Sequence, residues 1–279
     1  MKKILFDNNA FQDLIFRPDH YAQFQQLEYL IKNGDLVVFG NISFLEELIG
    51  LSSKNIVDYK KVLREYKIIT NQNLLKPYNE LIQMENNNGA PLKQENIFLS
   101  DEISKNIFDK LEKSFRLKTL DDLVYNNKQN YLLGMKGANN SVQNMLQQKF
   151  SKREKKIVAK SWLNNFDTNI QSWYKDLFKP IREIDCITLP HTASYISCYL
   201  LKMNQTATEG HKHKAGDSYD FQHIAEAAAV DVFITSDSAL IRMYNLIPKK
   251  YQFVQVQRIG ESLSGLAETS NLPKTERKT

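Results

Sequence analysis

Four acidic residues, two near each end of the chain, occupy positions where an α/β protein commonly places its chemistry. Asp7 and Asp237 each come just after a short apolar run that is typical of a buried strand. Glu47 lies on a helix predicted after the second such run, and Asp220 lies in the first turn of an alanine-rich helical segment. In open parallel sheets, ligands bind outside the carboxyl ends of the strands. We therefore expect these side chains to converge at one sheet edge.

Carboxylates gathered at one edge repel each other, which raises their pKa values unless cations neutralise them. Hard oxygen ligands suit Mg²⁺ or Mn²⁺, and such ions activate water and neutralise phosphate charge in phosphodiester hydrolysis. The set therefore predicts a metal-dependent nuclease. Each acid also has a structural interpretation, because Asp220 and Glu47 suit first turns of helices and Asp237 suits a helix N-cap. For the four residues together we favour metal binding.

The two ends of the chain supply the elements that would position these acids. Near the N-terminus the order is a strand at residues 3–6, a helix from about residue 19, a strand at 35–39 and a helix at 41–51. This alternation predicts an α/β fold with a parallel sheet covered by helices. Near the C-terminus the same kind of order resumes, with helices predicted at 217–229 and 238–245 and strands at 232–235 and 252–256.

Long polar helical patterns separate these two halves. We predict a discontinuous core at 1–60 and 205–260, a mainly helical insertion or subdomain at 61–204, and a disordered tail at 265–279. Helices are predicted within the insertion at 101–118, 151–178 and 189–203.

Three segments in this order resemble the PIN-domain nuclease family. They are Ile4-Leu5-Phe6-Asp7-Asn8-Asn9, Ile42-Ser43-Phe44-Leu45-Glu46-Glu47-Leu48, and Asp220-Phe221-Gln222-His223-Ile224-Ala225 continuing to Phe233-Ile234-Thr235-Ser236-Asp237. They are similar to that family's strand ending in Asp-x-Asn, its helix with a Glu-Leu pair, and its Asp-led alanine-rich helix followed by a strand ending in Thr-x-Asp. The resemblance covers under half of the chain.

The resemblance implies an endoribonuclease with a PIN-like sheet. It implies that Asp7, Glu47, Asp220 and Asp237 bind Mg²⁺ or Mn²⁺ and act in catalysis, that Asn9 orients Asp7, and that Thr235 helps hold the site. Glu47 is preferred over Glu46 because it directly precedes the leucine, and Asp217 is a secondary ligand or a helix cap. A toxin-antitoxin or phage-defence role, with an inhibitory partner protein, would follow from the family alone. The long insertion departs from compact PIN toxins.

A basic segment in the insertion predicts the nucleic-acid contact. Lys149, Arg153, Lys156 and Lys160 recur at helical spacing, and such a stripe would guide a phosphate backbone, although a solvated helix face is the alternative. His223 follows Asp220 by three residues, so it either positions substrate or a metal-bound water, or packs within the fold.

Composition bounds these interpretations. The chain has 279 residues, of which 42% are hydrophobic and 25% charged; this composition is typical of globular proteins and excludes a wholly disordered one. The net charge of +5 permits a polyanionic partner, and we expect RNA rather than DNA. No apolar run reaches transmembrane length and no signal-peptide core forms before Asp7. With only two cysteines, we expect a cytoplasmic protein that does not bind membranes. The sequence leaves the oligomeric state open, and a homo-oligomer is possible.

The alternatives to a nuclease are a catalytically degenerate PIN-like scaffold that binds RNA or protein, and a purely helical interaction protein.

Overall fold

A computed structural model describes residues 1–52, 54–113, 151–180, 182–209 and 217–261. Four strands form one sheet: β1 (Lys2–Phe6), β2 (Leu36–Phe39), β3 (Val232–Ile234) and β4 (Gln255–Gln257). Their order is β2-β1-β3-β4 and every pairing is parallel. The predicted α/β class with a helix-covered parallel sheet is thus confirmed, and a purely helical protein is excluded.

Eleven α-helices are described. They are α1 (Asn8–Phe16), α2 (Tyr21–Lys32), α3 (Ile42–Ser52), α4 (Ile56–Ile69), α5 (Tyr78–Asn88), α6 (Asp101–Lys113), α7 (Lys152–Asn164), α8 (Phe166–Phe178), α9 (Pro190–Glu209), α10 (Asp217–Ala227) and α11 (Ser238–Asn245). Within the described residues, none of them combines the length and the apolar character that crossing a bilayer requires.

Alternate residues of β1, β2 and β3 face opposite layers of helices. Ile4 and Phe6 of β1 belong to a cluster formed with α1, α2, α3, α4 and α6, whereas Leu5 belongs to a second cluster formed with α5, α8, α9, α10 and α11. Phe233 of β3 likewise faces the second cluster while Val232 and Ile234 face the first. This two-residue period explains why Ile4–Phe6 of β1, β2 and β3 are apolar, since both of their faces are covered, whereas β4 at the sheet edge is Gln-Val-Gln and is not buried.

Helices from the middle of the chain complete both layers. Phe108 of α6 packs in the first cluster and Ile170 of α8 in the second, each beside strand residues. The segment predicted as an insertion therefore contributes to the same hydrophobic core as the sheet. The predicted tail at 265–279 lies outside the described residues.

Several helices differ from the sequence prediction. The predicted helix at 151–178 is two helices, because Asn165 adopts a nonhelical backbone and its side-chain amide donates to the Ser161 carbonyl at 2.9 Å, which closes α7. Helix α1 was not predicted, although buried Ala10, Phe11 and Leu14 follow helical spacing. Strand β4 begins three residues later than predicted.

Candidate metal centre

The carboxyl ends of the two central strands hold Asp7 in place. The Asp7 backbone N–H donates to the Ile234 carbonyl at 2.8 Å, which continues the β1–β3 pairing past the end of the strands. The Thr235 hydroxyl then donates to Asp7 Oδ2 at 2.8 Å. Parallel pairing thereby brings together two residues that lie 228 positions apart in the chain.

Asp7, Glu47 and His223 converge at this edge. One ligand atom of each lies within 4.8 Å of the other two, and this is the one such three-residue group among the described residues. Glu47 comes from α3 and His223 from α10, helices that cover opposite faces of the sheet and meet beyond its carboxyl end. The His223 Nε2 atom lies 3.2 Å from Glu47 Oε2. Glu47 is the most accessible member, with 21% of its side chain exposed against 2% for His223.

The electrostatics of Asp7 favour a nearby cation. Burial raises the pKa of Asp7 and the charge of Glu47 raises it further, against the opposing effects of His223, the Thr235 hydroxyl and the Asn9 backbone amide. An ionised carboxylate with little water around it is unfavourable unless a positive charge compensates it. A bound divalent cation would supply that compensation.

A buried asparagine supports this group from behind. Asn41 follows β2 and Gly40, where an added Cβ would lie 2.6 Å from Leu74 Cδ2, so a larger residue would displace the end of the Leu74 side chain. Asn41 is fully buried, and its Nδ2 lies 2.9 Å from His223 Nδ1. The Tyr66 hydroxyl donates to Asn41 Oδ1 at 3.0 Å, and the Asn41 backbone N–H donates to the Tyr66 hydroxyl oxygen at 3.0 Å. These contacts fix the amide and, through it, the imidazole ring.

The orientation of the Asn41 amide is coupled to the tautomer of His223. With the amide nitrogen toward Nδ1, the neutral ring accepts at Nδ1 and carries its proton on Nε2, from which it donates to Glu47. In this state Nε2 has no lone pair to offer a metal, and His223 orients Glu47 instead. Direct coordination through Nε2 would require the amide to turn, so that Oδ1 accepts from a proton on Nδ1.

Charges around the ring act against this neutral state. Burial lowers the pKa of His223, but the hydrogen bond and charge of Glu47, followed by the charges of Asp7 and Glu226, raise it overall to about 9. A doubly protonated ring would place an N–H of Nδ1 against the N–H of Asn41. The charge of His223 and the orientation of the Asn41 amide are therefore coupled.

Glu226 is a second buried carboxylate behind the group. Its Oε2 accepts from Asn41 Nδ2 at 2.6 Å, and its Oε1 accepts from the Tyr78 backbone N–H at 3.3 Å. Burial raises the pKa of Glu226 to about 7, although His223, Asn41 and Ser43 lower it. Glu226 therefore joins α10 to β2 and to the start of α5.

The other two predicted acids lie outside this group. The Asp237 carboxylate is the N-cap of α11 and accepts from the backbone amides of Ala239 at 2.6 Å and Leu240 at 3.1 Å. Asp220 is half-buried, and burial together with the charge of Asp220 raises the pKa of the Cys198 thiol on α9. The side chain of Asp217 lies outside what the structure describes.

The remaining predicted residues have varied placements. Asn9 is exposed, and it is its backbone amide, rather than its side chain, that acts on Asp7. Arg153 and Lys160 are exposed on α7, whereas Lys149 and the side chain of Lys156 lie outside the described residues. The nucleic-acid contact therefore stays a prediction.

Three residues of the site, Asn41, Tyr66 and Glu226, are not among those predicted from the sequence. Asn41 could have been found, because it is a polar residue at the end of the second apolar strand, as Asp7 is at the end of the first. Tyr66 and Glu226 carry no such signal, since in sequence neither differs from the other residues of its amphipathic helix.

The donor set fits a divalent ion of the Mg²⁺ and Mn²⁺ kind. Two carboxylates provide hard oxygen atoms, and one of them is partly exposed, which leaves room for water and substrate phosphate. Coordination by His223 would require the turned Asn41 amide, and it would shift the preference from Mg²⁺ toward Mn²⁺, because nitrogen ligands suit transition metals better.

No model of a known protein family, no curated protein sequence and no solved structure matches this chain.

Proposed function

We propose that the protein is a metal-dependent phosphodiester hydrolase of the PIN-like kind, with RNA as its preferred substrate. One observation carries the proposal: Asp7, Glu47 and His223, from three separate segments, place ligand atoms within 4.8 Å of one another at the carboxyl edge of a parallel sheet. Active sites of such sheets lie at this edge. The buried charge of Asp7 is most easily explained by a cation that binds there.

Each residue of the group has a role in this proposal. Asp7 and Glu47 would hold Mn²⁺ or Mg²⁺, and the Thr235 hydroxyl orients Asp7. The His223 Nε2–H donates to Glu47 and sets the direction of its carboxylate, while Asn41 holds the ring. A divalent ion at this position supplies Lewis-acid chemistry, since it lowers the pKa of water and neutralises charge on a phosphodiester. Asp220 and Asp237 are not required as ligands.

Manganese binding and hydrolysis by matched variants test this proposal. Wild-type protein should bind Mn²⁺ in calorimetric titration and cleave labelled single-stranded RNA with Mn²⁺ but not with chelator. Asp7→Asn keeps the size of the side chain and should lose both properties with the fold retained by circular dichroism. Asp19→Asn, at an exposed aspartate before α2, is the control and should behave as wild type. Absence of Mn²⁺ binding and of RNA and DNA cleavage by the wild type would refute the proposal.

The second candidate function is a scaffold that binds RNA or protein without cleaving it. It is favoured by the placement of Asp237, whose carboxylate caps α11, and of Asp220, which lies outside the three-residue group. A scaffold would show no carboxylate-dependent Mn²⁺ binding, so the titration above separates the two functions.

A further inference from the structure

A cavity of about 450 Å³ opens beside the candidate metal centre. Helices α3, α5, α9 and α10 form its walls, which contain three tyrosines, Tyr78, Tyr195 and Tyr219. Ser43 lies one helical turn before Glu47 on α3, and Tyr219 lies one turn before His223 on α10. The cavity therefore lies about one turn, roughly 5 Å, along both helices from the metal-binding group.

The aromatic wall of this cavity is held rigidly. The rings of Tyr78 and Tyr195 stack with centroids 5.5 Å apart and planes inclined by 17°. Phe221 packs edge-on against Tyr195 at 6.4 Å and 87°. The Tyr78 backbone is fixed by its N–H bond to Glu226. A flat ligand would thus meet rings whose orientation is already set, which limits the entropy lost on binding.

The charge of the cavity excludes an anionic occupant. Among its ten lining residues there is no lysine or arginine, and there is one carboxylate, Glu46. Burial raises the pKa of Tyr78 and of Tyr219, and the negative charge of Glu46 raises both further. The Glu46 carboxylate would repel a phosphate group, whereas it can accept hydrogen bonds from the N–H groups of a neutral ligand.

The polar groups of the wall suit the edge of a heterocycle. Gln222 accepts from the Ser43 hydroxyl at 3.3 Å through Oε1, so its amide nitrogen is the end that offers donors. With Glu46 as acceptor, the wall combines donor and acceptor groups next to aromatic rings. Single-stranded nucleic acids are recognised in this way, by stacking of an unpaired base on aromatic side chains and by hydrogen bonds to its edge.

We propose that this cavity binds one unpaired nucleobase of a single-stranded nucleic acid, and that Glu46 favours bases carrying an amino group. The inference rests on the proposed function, because a base held here would place its own phosphodiester near Asp7 and Glu47. The cavity would then select which linkage of the strand enters the site.

Binding of base-bearing and abasic strands in the presence of chelator tests the inference without hydrolysis. Fluorescence anisotropy is measured with short single-stranded RNA and DNA oligonucleotides and with abasic strands of equal length. Tyr78→Ala should weaken binding of base-bearing strands by about 5- to 150-fold, the range for loss of one base–aromatic stack, and should leave abasic strands unaffected. Tyr29→Ala, at an exposed tyrosine of α2, is the matched control. Melting temperatures verify that each variant is folded.

A second variant tests the role of Glu46. Wild type should prefer adenine, cytosine or guanine strands over uracil strands, and Glu46→Gln should reduce that preference by about fivefold or more. Glu28→Gln, at an exposed glutamate of α2, should leave it unchanged. RNA and DNA arms show whether the sugar contributes.

Three results would overturn the inference: equal affinity for base-bearing and abasic strands, absence of binding to base-bearing strands, or saturation by choline with no response to nucleic acid. Choline is included because an ammonium ion also suits tyrosine rings beside a carboxylate. Failure of this inference is distinguishable from failure of the proposed function. If Asp7→Asn abolishes RNA cleavage but Tyr78→Ala leaves binding unchanged, only the base-binding cavity is refuted. If binding depends on the base but the wild type shows no Mn²⁺-dependent cleavage, only the hydrolase is refuted.

Discussion

Replacing Glu85 with glutamine should make the stability of the protein less sensitive to pH between about 4.5 and about 7. Glu85 lies on α5 with no exposed surface, and its carboxylate caps the first turn of α9. It accepts from the backbone amides of His191 at 3.1 Å and Thr192 at 2.8 Å, and from the Thr192 hydroxyl at 2.8 Å. These bonds favour the ionised form, but burial outweighs them and raises the pKa of Glu85 to about 7.

The sign of the effect follows from proton binding. In the unfolded chain the pKa of Glu85 returns to its ordinary value of 4.5, so between the two values the folded protein holds a proton that the unfolded protein has lost. Stability due to Glu85 is therefore highest below about pH 4.5 and falls as pH rises through about 7. At about 1.4 kcal/mol per pH unit, this interval corresponds to about 3 kcal/mol.

Urea unfolding of wild type and Glu85→Gln across this pH range measures the difference directly. The free energy of unfolding of the variant should rise relative to wild type by about 3 kcal/mol from pH ~4.5 to pH ~8. Glu28→Gln, at an exposed site, should show no such trend. A Glu85→Gln difference that stays constant to within about 1 kcal/mol over the range would contradict the assigned burial of this charge.

Three further predictions follow from individual contacts. Asp237→Ala should lower the free energy of unfolding by about 1 kcal/mol through loss of the α11 cap, and Asp237→Asn should keep the wild-type stability. If Asp237 were a metal ligand, both variants would lose Mn²⁺ affinity in titration. Asn41→Ala should lower the free energy of unfolding by about 3 kcal/mol, because the buried Tyr66 and Glu226 groups lose a partner; a loss under about 1 kcal/mol in denaturant melts would show that water replaces the amide. His191 is buried, with its Nδ1 2.7 Å from the Ala225 carbonyl, and burial lowers its pKa to about 4. The contribution of the neutral His191 ring to stability is complete above about pH 6.5 and is lost toward pH 4. The free energy of unfolding of wild type relative to His191→Gln should therefore drop by roughly 3 kcal/mol over that interval, and an unchanged difference would refute a neutral buried ring.

The sequence alone determined the class of fold and the placement of Asp7 at the carboxyl edge of the sheet. Apolar runs bounded by polar residues are a local signal, because a strand buried on both faces must be apolar along its whole length. That signal located β1, β2 and β3 and placed Asp7 and Thr235 at strand ends, where the structure has them. The resemblance to the PIN-domain family favours Glu47 over Glu46, and the structure places Glu47 with Asp7 and Glu46 in the neighbouring cavity.

Only the tertiary structure decided which polar side chains meet. Asp220 and His223 lie on the same helix, yet the way α10 packs on α3 brings His223 to Asp7 and leaves Asp220 outside the group. Asn41 joins His223 from 182 positions away, and no local pattern specifies such a pair. A strand or a helix is defined by neighbours in sequence, whereas a site is defined by the rotation and separation of packed elements. Those depend on the whole core, which the linear order of residues does not display.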